Sequence, residues 1–223
     1  MSKPVIGILM LNTSFHRPIG DIGNPSTFTF PVAYERIEAA TIERVVKVGD
    51  SNLIQHFIAA AKRLQEREVK AITTSCGFLA LFQKEIQREL DVPFYASSLL
   101  QIPIAYALTG RPVGIITARK ASLTKQHLLG VDAGNIPVVI EGMDDMPNFT
   151  DAIIDQSKPL NMEQVAIEIK TVTKRMINSH PEIKAILLEC TNMPPYIHAM
   201  REVTDLPIFD LNKFTNYVVE SLA

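Results

Sequence analysis

The sequence predicts an α/β protein built as two lobes of the same topology. Each lobe is a parallel sheet flanked by helices, and a pseudo-twofold axis relates them. Three observations predict this. Short apolar runs alternate with segments of helical period along the whole chain, as parallel strands with crossover helices require. A stretch of the first half recurs in the second without a gap: VKAITTSCGFLALFQKEIQRELDVPFY, from Val69, lies over IKAILLECTNMPPYIHAMREVTDLPIF, from Ile183. The chain's two cysteines, Cys76 and Cys190, fall at equivalent points of that repeat, 114 residues apart.

Residues 4–10 (PVIGILM) form a continuous apolar run, the pattern of a strand covered on both faces. Residues 42–48 (IERVVKV) read as a second strand. Ser51 reads as the N-cap of a helix carrying Leu53, Ile54, Phe57, Ile58, Ala61 and Leu64 at helical spacing. A strand follows at 69–74. Phe78, Leu81, Phe82 and Ile86 mark a helix after Cys76, and residues 92–96 are a further strand. In the second half, strands are expected at 111–118 and 136–142. Asn161 opens a long helix with Met162, Val165, Ala166, Ile169, Val172 and Met176 on one face, ended by Pro181. A strand at 183–189 leads to Cys190 and a helix reaching about Val203. LPIFD is the last strand, and Phe214, Tyr217 and Val218 lie on a closing helix capped by Asn212. The first lobe is drawn as 1–98 with 210–223 and the second as 99–209, with the active site in the cleft between them.

Composition narrows the function. The 223 residues are 47 % hydrophobic and 21 % charged, ordinary for a globular protein with a real core. A net charge of −2 gives no electrostatic reason to expect nucleic acid or an anionic membrane as partner. No apolar run approaches the length of a membrane span. The opening MSKPVIGILML is broken by Gly7 and lacks a small-residue cleavage site, so a cytoplasmic protein is expected. Two cysteines make no disulfide framework. The five histidines (16, 56, 127, 180 and 198) lack metal-ligand spacing, and neither a dinucleotide fingerprint nor a P-loop is present.

In parallel α/β sheets ligands bind beyond the carboxyl ends of the strands. Both cysteines sit there, just before a helix, where free N–H groups favour a thiolate and could hold a carboxylate. A thiol of reference pKa about 8.5 becomes a usable base after a modest downward shift. Two opposed thiols could take a proton from one face of a carbon and return one to the other. Each sulfur would then lie within about 3–3.5 Å of that carbon, so the pair would stand roughly 7 Å apart, beyond disulfide range.

The size, the two-lobed plan, one cysteine per lobe after a central strand, and the Cys190–Thr191 pair together resemble the aspartate/glutamate racemase superfamily. That group includes cofactor-independent amino-acid racemases, hydantoin racemase and related decarboxylases and isomerases. The resemblance implies that Cys76 and Cys190 are the two catalytic bases, that no pyridoxal or other cofactor is used, and that the protein is a homodimer. The sequence also departs from the pattern. Gly77 and Phe78 stand where the amino-acid racemases carry Asn-Thr. Leu11, Asn12, Thr13 and Ser14 stand where glutamate racemases carry Asp-Ser, and Asn192 stands where a His or Glu often follows the second Cys-Thr.

The expectation is therefore a cofactor-independent racemase or epimerase, an isomerase acting on a small carboxylate with an acidic α-hydrogen. A decarboxylase or cis–trans isomerase of the same fold, or a non-catalytic small-molecule-binding protein, are the alternatives. Asn12, Thr13, Thr74, Ser75, Gly77, Phe78, Thr117, Thr191 and Asn192 are the candidate substrate-binding residues. The irregular segment 14–34 reads as a cover for the cleft, with Asn24, Ser26 and Thr27 near substrate and 142–151 as its opposite number. Glu189 is set aside because neighbours along a strand point to opposite faces.

Overall fold

The computed structural model describes residues 5–222. Pro4, where the first apolar run begins, and the outermost residues of the expected first lobe lie outside the described residues.

Two four-stranded parallel sheets form the frame. The first contains β1 (Ile6–Leu11), β2 (Val32–Ile37), β3 (Ala71–Thr74) and β4 (Phe94–Tyr95), in the order β2-β1-β3-β4. The second contains β5 (Val113–Thr117), β6 (Val138–Gly142), β7 (Ala185–Leu188) and β8 (Ile208–Phe209), in the order β6-β5-β7-β8. The two orders are the same order shifted by four strands, which is the repeat seen in the sequence. β3 and β7 each pair on both sides, β3 with β1 and β4, β7 with β5 and β8. Every residue of β3, β5 and β7 is buried, so their apolar residues run consecutively rather than alternating, and the threonines that end β3 and β5 are buried with them.

Helices cover the sheets. α1 (Ile54–Glu66) buries Phe57, Ile58, Ala60, Ala61 and Leu64. Two short helices, α2 (Gln83–Gln87) and α3 (Ile102–Thr109), follow β3 and β4. α4 (Lys125–Gly130) and α5 (Pro147–Phe149) flank β6, and α5 runs on into a wide helical turn at Thr150–Ile154. α6 (Met162–Ser179) starts where Asn161 accepts the Gln164 N–H, and it buries Val165, Ile169, Val172 and Met176. α7 (Ile197–Arg201) follows β7, and α8 (Leu211–Ser221) closes the chain. α8 packs on the first sheet: the Phe214 ring meets Tyr95 edge-on at 5.3 Å, and the Tyr95 hydroxyl lies 3.3 Å from that of Thr215. Among the described residues no helix is long and apolar enough to cross a membrane.

Several elements differ from the sequence reading. Residues 43–48 are a wide helical turn, closed by Gly49 at φ 66°, rather than a strand. A short run with Val45, Val46 and Val48 carries too few residues for its period to separate strand from helix. The strand beside β1 is β2, whose half-exposed, polar-rich sequence VAYERI hides an edge strand. Asp50 rather than Ser51 caps the turn leading into α1, and Asp210 rather than Asn212 caps α8 by accepting the Lys213 N–H. Asn212 instead donates to the Gly20 carbonyl at 2.6 Å. α3 and α4 carry no expectation from the sequence.

Candidate active site

β3 and β7 deliver their cysteines to a shared place. The chain leaves β3 through Ser75 and Cys76, and it leaves β7 through Glu189 and Cys190. The Ser75 N–H still bonds to the Leu9 carbonyl, and the Glu189 N–H to that of Ile116, both at 2.9 Å. Each loop is thus pinned to the neighbouring strand of its own sheet. The loops are also pinned to each other. The Thr191 hydroxyl donates to the Ser75 carbonyl at 2.6 Å. Ser98 donates across to the Leu188 carbonyl at 2.6 Å.

One narrow cavity contains both thiols. Its walls are Ser75, Cys76, Gly77 and Phe78 from the first loop and Glu189, Cys190, Thr191 and Asn192 from the second. Thr13, Phe15 and Arg17 arrive from the segment after β1, and Ile153 and Ile154 from the turn after α5. Both cysteines are free, and they are 8 % and 7 % exposed. They face one space from two lobes, as the twofold reading requires.

The electrostatics do not follow the sequence reading. Backbone N–H groups of Phe78 and Asn192 each act on the nearer sulfur to favour a thiolate. Burial outweighs them, and the Glu189 carboxylate adds to burial, so both thiols are pushed well above their ordinary range. The two are not equivalent. Arg17 pulls Cys76 down, whereas Cys76 and Asp21 push Cys190 further up. Cys190 donates to Asn192 Oδ1 at 3.4 Å. Asn192 Nδ2 donates to Asp21 Oδ2 at 2.7 Å, and Asp21 Oδ1 receives Arg17 Nη1 at 2.8 Å. Arg17 Nη2 also donates to Thr13, and the guanidinium stacks 4.5 Å from the Phe15 ring centre.

Six of the nine substrate-binding candidates line the cavity: Thr13, Ser75, Gly77, Phe78, Thr191 and Asn192. Three do not, and their side chains are spent elsewhere. Asn12 is engaged by Arg36 and donates to the Glu38 carbonyl. Thr74 donates to the Ala96 carbonyl at 2.7 Å and accepts the Cys76 N–H at 3.2 Å, so it shapes the thiol loop from behind. Thr117 donates to Glu189 Oε2 at 2.7 Å. Asn24, Ser26 and Thr27 organise their own loop: Asn24 caps a short turn and holds the Arg17 carbonyl, and Thr27 bonds to the Asp21 carbonyl. That loop does reach the cavity, but through Arg17 and, behind it, Asp21.

Glu189 belongs to the site. β7 ends at Leu188, so strand alternation does not govern the next two side chains, and both Glu189 and Cys190 reach the wall. Burial lifts the Glu189 carboxyl from 4.5 to about 7, against the opposing bonds from Thr117 and the Ala118 N–H. The signal in the sequence was a carboxylate at the end of an otherwise apolar, fully buried run. Among the described residues no group of three His, Cys, Asp or Glu side chains gathers as metal ligands.

Comparison with known proteins decides the family. No family model matches the chain. A dimethylsulfoniopropionate lyase from Durusdinium sp. clade D is 34 % identical over 92 % of this chain and 70 % of its own length. The chain belongs to the dimethylsulfoniopropionate lyase family. Dimethylsulfoniopropionate lyase 6 of Emiliania huxleyi is 31 % identical over 98 % of this chain, which spans 60 % of that relative. Among solved structures, an aspartate racemase homologue from Pyrococcus horikoshii superposes with a TM-score of 0.62 at 15 % identity, over 98 % of each chain. Unliganded arylmalonate decarboxylase gives 0.59 at 12 % identity, over 98 % of this chain and 92 % of the other. The fold is that of the aspartate/glutamate racemase superfamily, as the paired cysteines suggested. The expected racemase or isomerase activity is overturned, because the relatives that share sequence, and not only fold, are lyases. Of the alternatives, the same-fold decarboxylase, which like these relatives cleaves a bond to carbon, stands nearer than the racemase.

Proposed function

We propose that the protein is a lyase that splits dimethylsulfoniopropionate, or a close β-sulfonio carboxylate, into dimethyl sulfide and acrylate. The observation that carries this reading is the single cavity holding both thiols and Arg17 in a chain of this family. The reaction is a β-elimination. A base takes a proton from the carbon α to the carboxylate, and that C–H electron pair becomes the Cα–Cβ double bond. The Cβ–S bond breaks with its electrons going to sulfur, so neutral dimethyl sulfide leaves and the proton stays on the base.

The residues divide the work as follows. Arg17, clamped by Asp21, Thr13 and Phe15, takes the substrate carboxylate and with it the charge that develops as the α-proton leaves. One thiolate of the Cys76–Cys190 pair is the base. Elimination needs a base on one face only, whereas stereoinversion needs one on each. The other sulfur stays protonated, as Cys190 is held now by its bond to Asn192. Phe15, Phe78, Ile153 and Ile154 exclude water from the reacting carbon.

The test is direct. The reduced protein is sealed with dimethylsulfoniopropionate, headspace dimethyl sulfide is measured by gas chromatography, and acrylate by liquid chromatography. Equal amounts of both, well above a no-enzyme control, are expected. Release no faster than the control would sink the reading.

A further inference from the structure

We infer that Glu189 is the anionic anchor for the substrate's onium group, and so the residue that makes the cavity select a carboxylate bearing a cation over a plain one. The inference rests on the lyase reading and names the side chain that meets the sulfonium.

Glu189 is fully buried, yet it stands in the cavity wall. The Thr117 hydroxyl donates to its Oε2 and the Ala118 N–H also acts on the carboxylate, while Oε1 has no hydrogen-bond partner of its own. Among the described residues no lysine, arginine or histidine pairs with it. A buried carboxylate oxygen without a donor is costly unless a ligand completes it.

The neighbouring chain is cut to fit that oxygen. A Cβ built on Gly77 would lie 2.4 Å from Oε1 and 2.2 Å from the Glu189 carbonyl. The residue after Cys76 must therefore be bare for the carboxylate to stand between the two thiol loops. A sulfonium or quaternary ammonium has no N–H or O–H to donate. It is met by charge contact and by aromatic rings, and Phe78 stands in the same wall, whereas Phe15 is already stacked on Arg17.

The cavity is thereby bipolar. Arg17 is occupied by Asp21 rather than by Glu189, so the guanidinium and the carboxylate do not cancel each other. A zwitterion can lie with its carboxylate at Arg17 and its onium at Glu189. Bound there, the cation opposes the Glu189 charge that helps keep both thiols protonated. The substrate itself then helps release the base.

Two inert isosteres isolate the charge: 3-(trimethylammonio)propionate, whose amine is a poor leaving group, and 4,4-dimethylpentanoate, which replaces N⁺ by carbon. Binding of each is measured by calorimetry at pH 8. Wild type should bind the zwitterion at least tenfold tighter than its twin with an uncharged tail. Glu189→Gln should bring the ratio near one by weakening the ligand with the cationic tail, and continued binding of its carbon twin shows that the cavity is intact. Glu189→Asp should keep most of the preference. Wild type alone gives a second readout that needs no variant to fold. Cys76, Cys190, Arg17 and Glu189 face the cavity, with Asp21 behind them, and only the Glu189 carboxyl is lifted to about 7. The preference for the cation should therefore grow as pH rises through 7. Equal binding of both isosteres by wild type, a preference flat with pH, or a preference kept in Glu189→Gln would each overturn the anchor while dimethyl sulfide release left the lyase reading standing. Without dimethyl sulfide release from wild type, both fall.

Discussion

Replacing Glu189 by glutamine should stabilise the fold at pH 8.5 and leave it nearly unchanged at pH 4.5. The carboxyl titrates near 4.5 when free and near 7 in the folded cavity. Below pH 4.5 it is neutral in both states and carries no penalty. As pH rises from 4.5 to 7 the unfolded chain ionises first, so folding loses free energy across that window; above 7 the loss is constant. The shift corresponds to roughly 3 kcal/mol, at about 1.4 kcal/mol per pH unit. Glutamine keeps an acceptor for Thr117 and cannot ionise. For a chain of this size each kcal/mol moves Tm by about 2–4 °C, so the variant should melt roughly 6–12 °C higher than wild type at pH 8.5. Thermal unfolding of both proteins followed by circular dichroism at the two pH values measures this, and titrating groups that do not interact with Glu189 cancel in the difference. A gap between variant and wild type that does not depend on pH would refute the reasoning. The same substitution is expected to weaken onium binding, so stability and recognition would move in opposite directions.

Cys76→Ser and Cys190→Ser should differ in severity. Loss of the base should lower dimethyl sulfide release by about 10²–10⁴-fold, while loss of its partner leaves measurable turnover; equal abolition by both would contradict a one-base elimination. Arg17→Ala strands Asp21, which is 1 % exposed, and should cost about 3–5 kcal/mol. Adding Asp21→Asn should recover the urea midpoint but not the substrate KM. Gly77→Ala drives a Cβ against the Glu189 backbone and should destabilise by about 1–3 kcal/mol with loss of turnover, read by urea unfolding and headspace assay. Iodoacetamide should alkylate the empty protein slowly at pH 7 and faster only at high pH, since both thiols are buried and pushed up. Rapid labelling below pH 7 would show that the electrostatics are misread.

What the sequence made legible was whatever it states twice. The repeat around Cys76 and Cys190 fixed both central strands, the matching sheet orders and the shared cavity. Features that occur once were harder. β2 is a half-exposed edge strand whose alternation is blurred by Glu35 and Arg36, and residues 43–48 are too short for their period to speak. Arg17 and Asp21 lie in a loop without period, and only the tertiary fold brings Asp21 against Asn192. Glu189 was misjudged because strand alternation was carried one residue past the end of β7. The racemase expectation followed from the thiol pair and the fold, and neither states the reaction: a solved structure of the same fold is an arylmalonate decarboxylase, and the relatives that share sequence are lyases.

The duplicated frame carries Ser75 on one side and Glu189 at the matching point on the other. That mismatch makes the hollow handed. The two α-hydrogens of a propionate chain are mirror-related in solution, but a molecule pinned between unlike ends presents just one of them to a given sulfur. A sample deuterated at a single prochiral position should therefore yield acrylate that either keeps all of its label or loses all of it, and never a mixture.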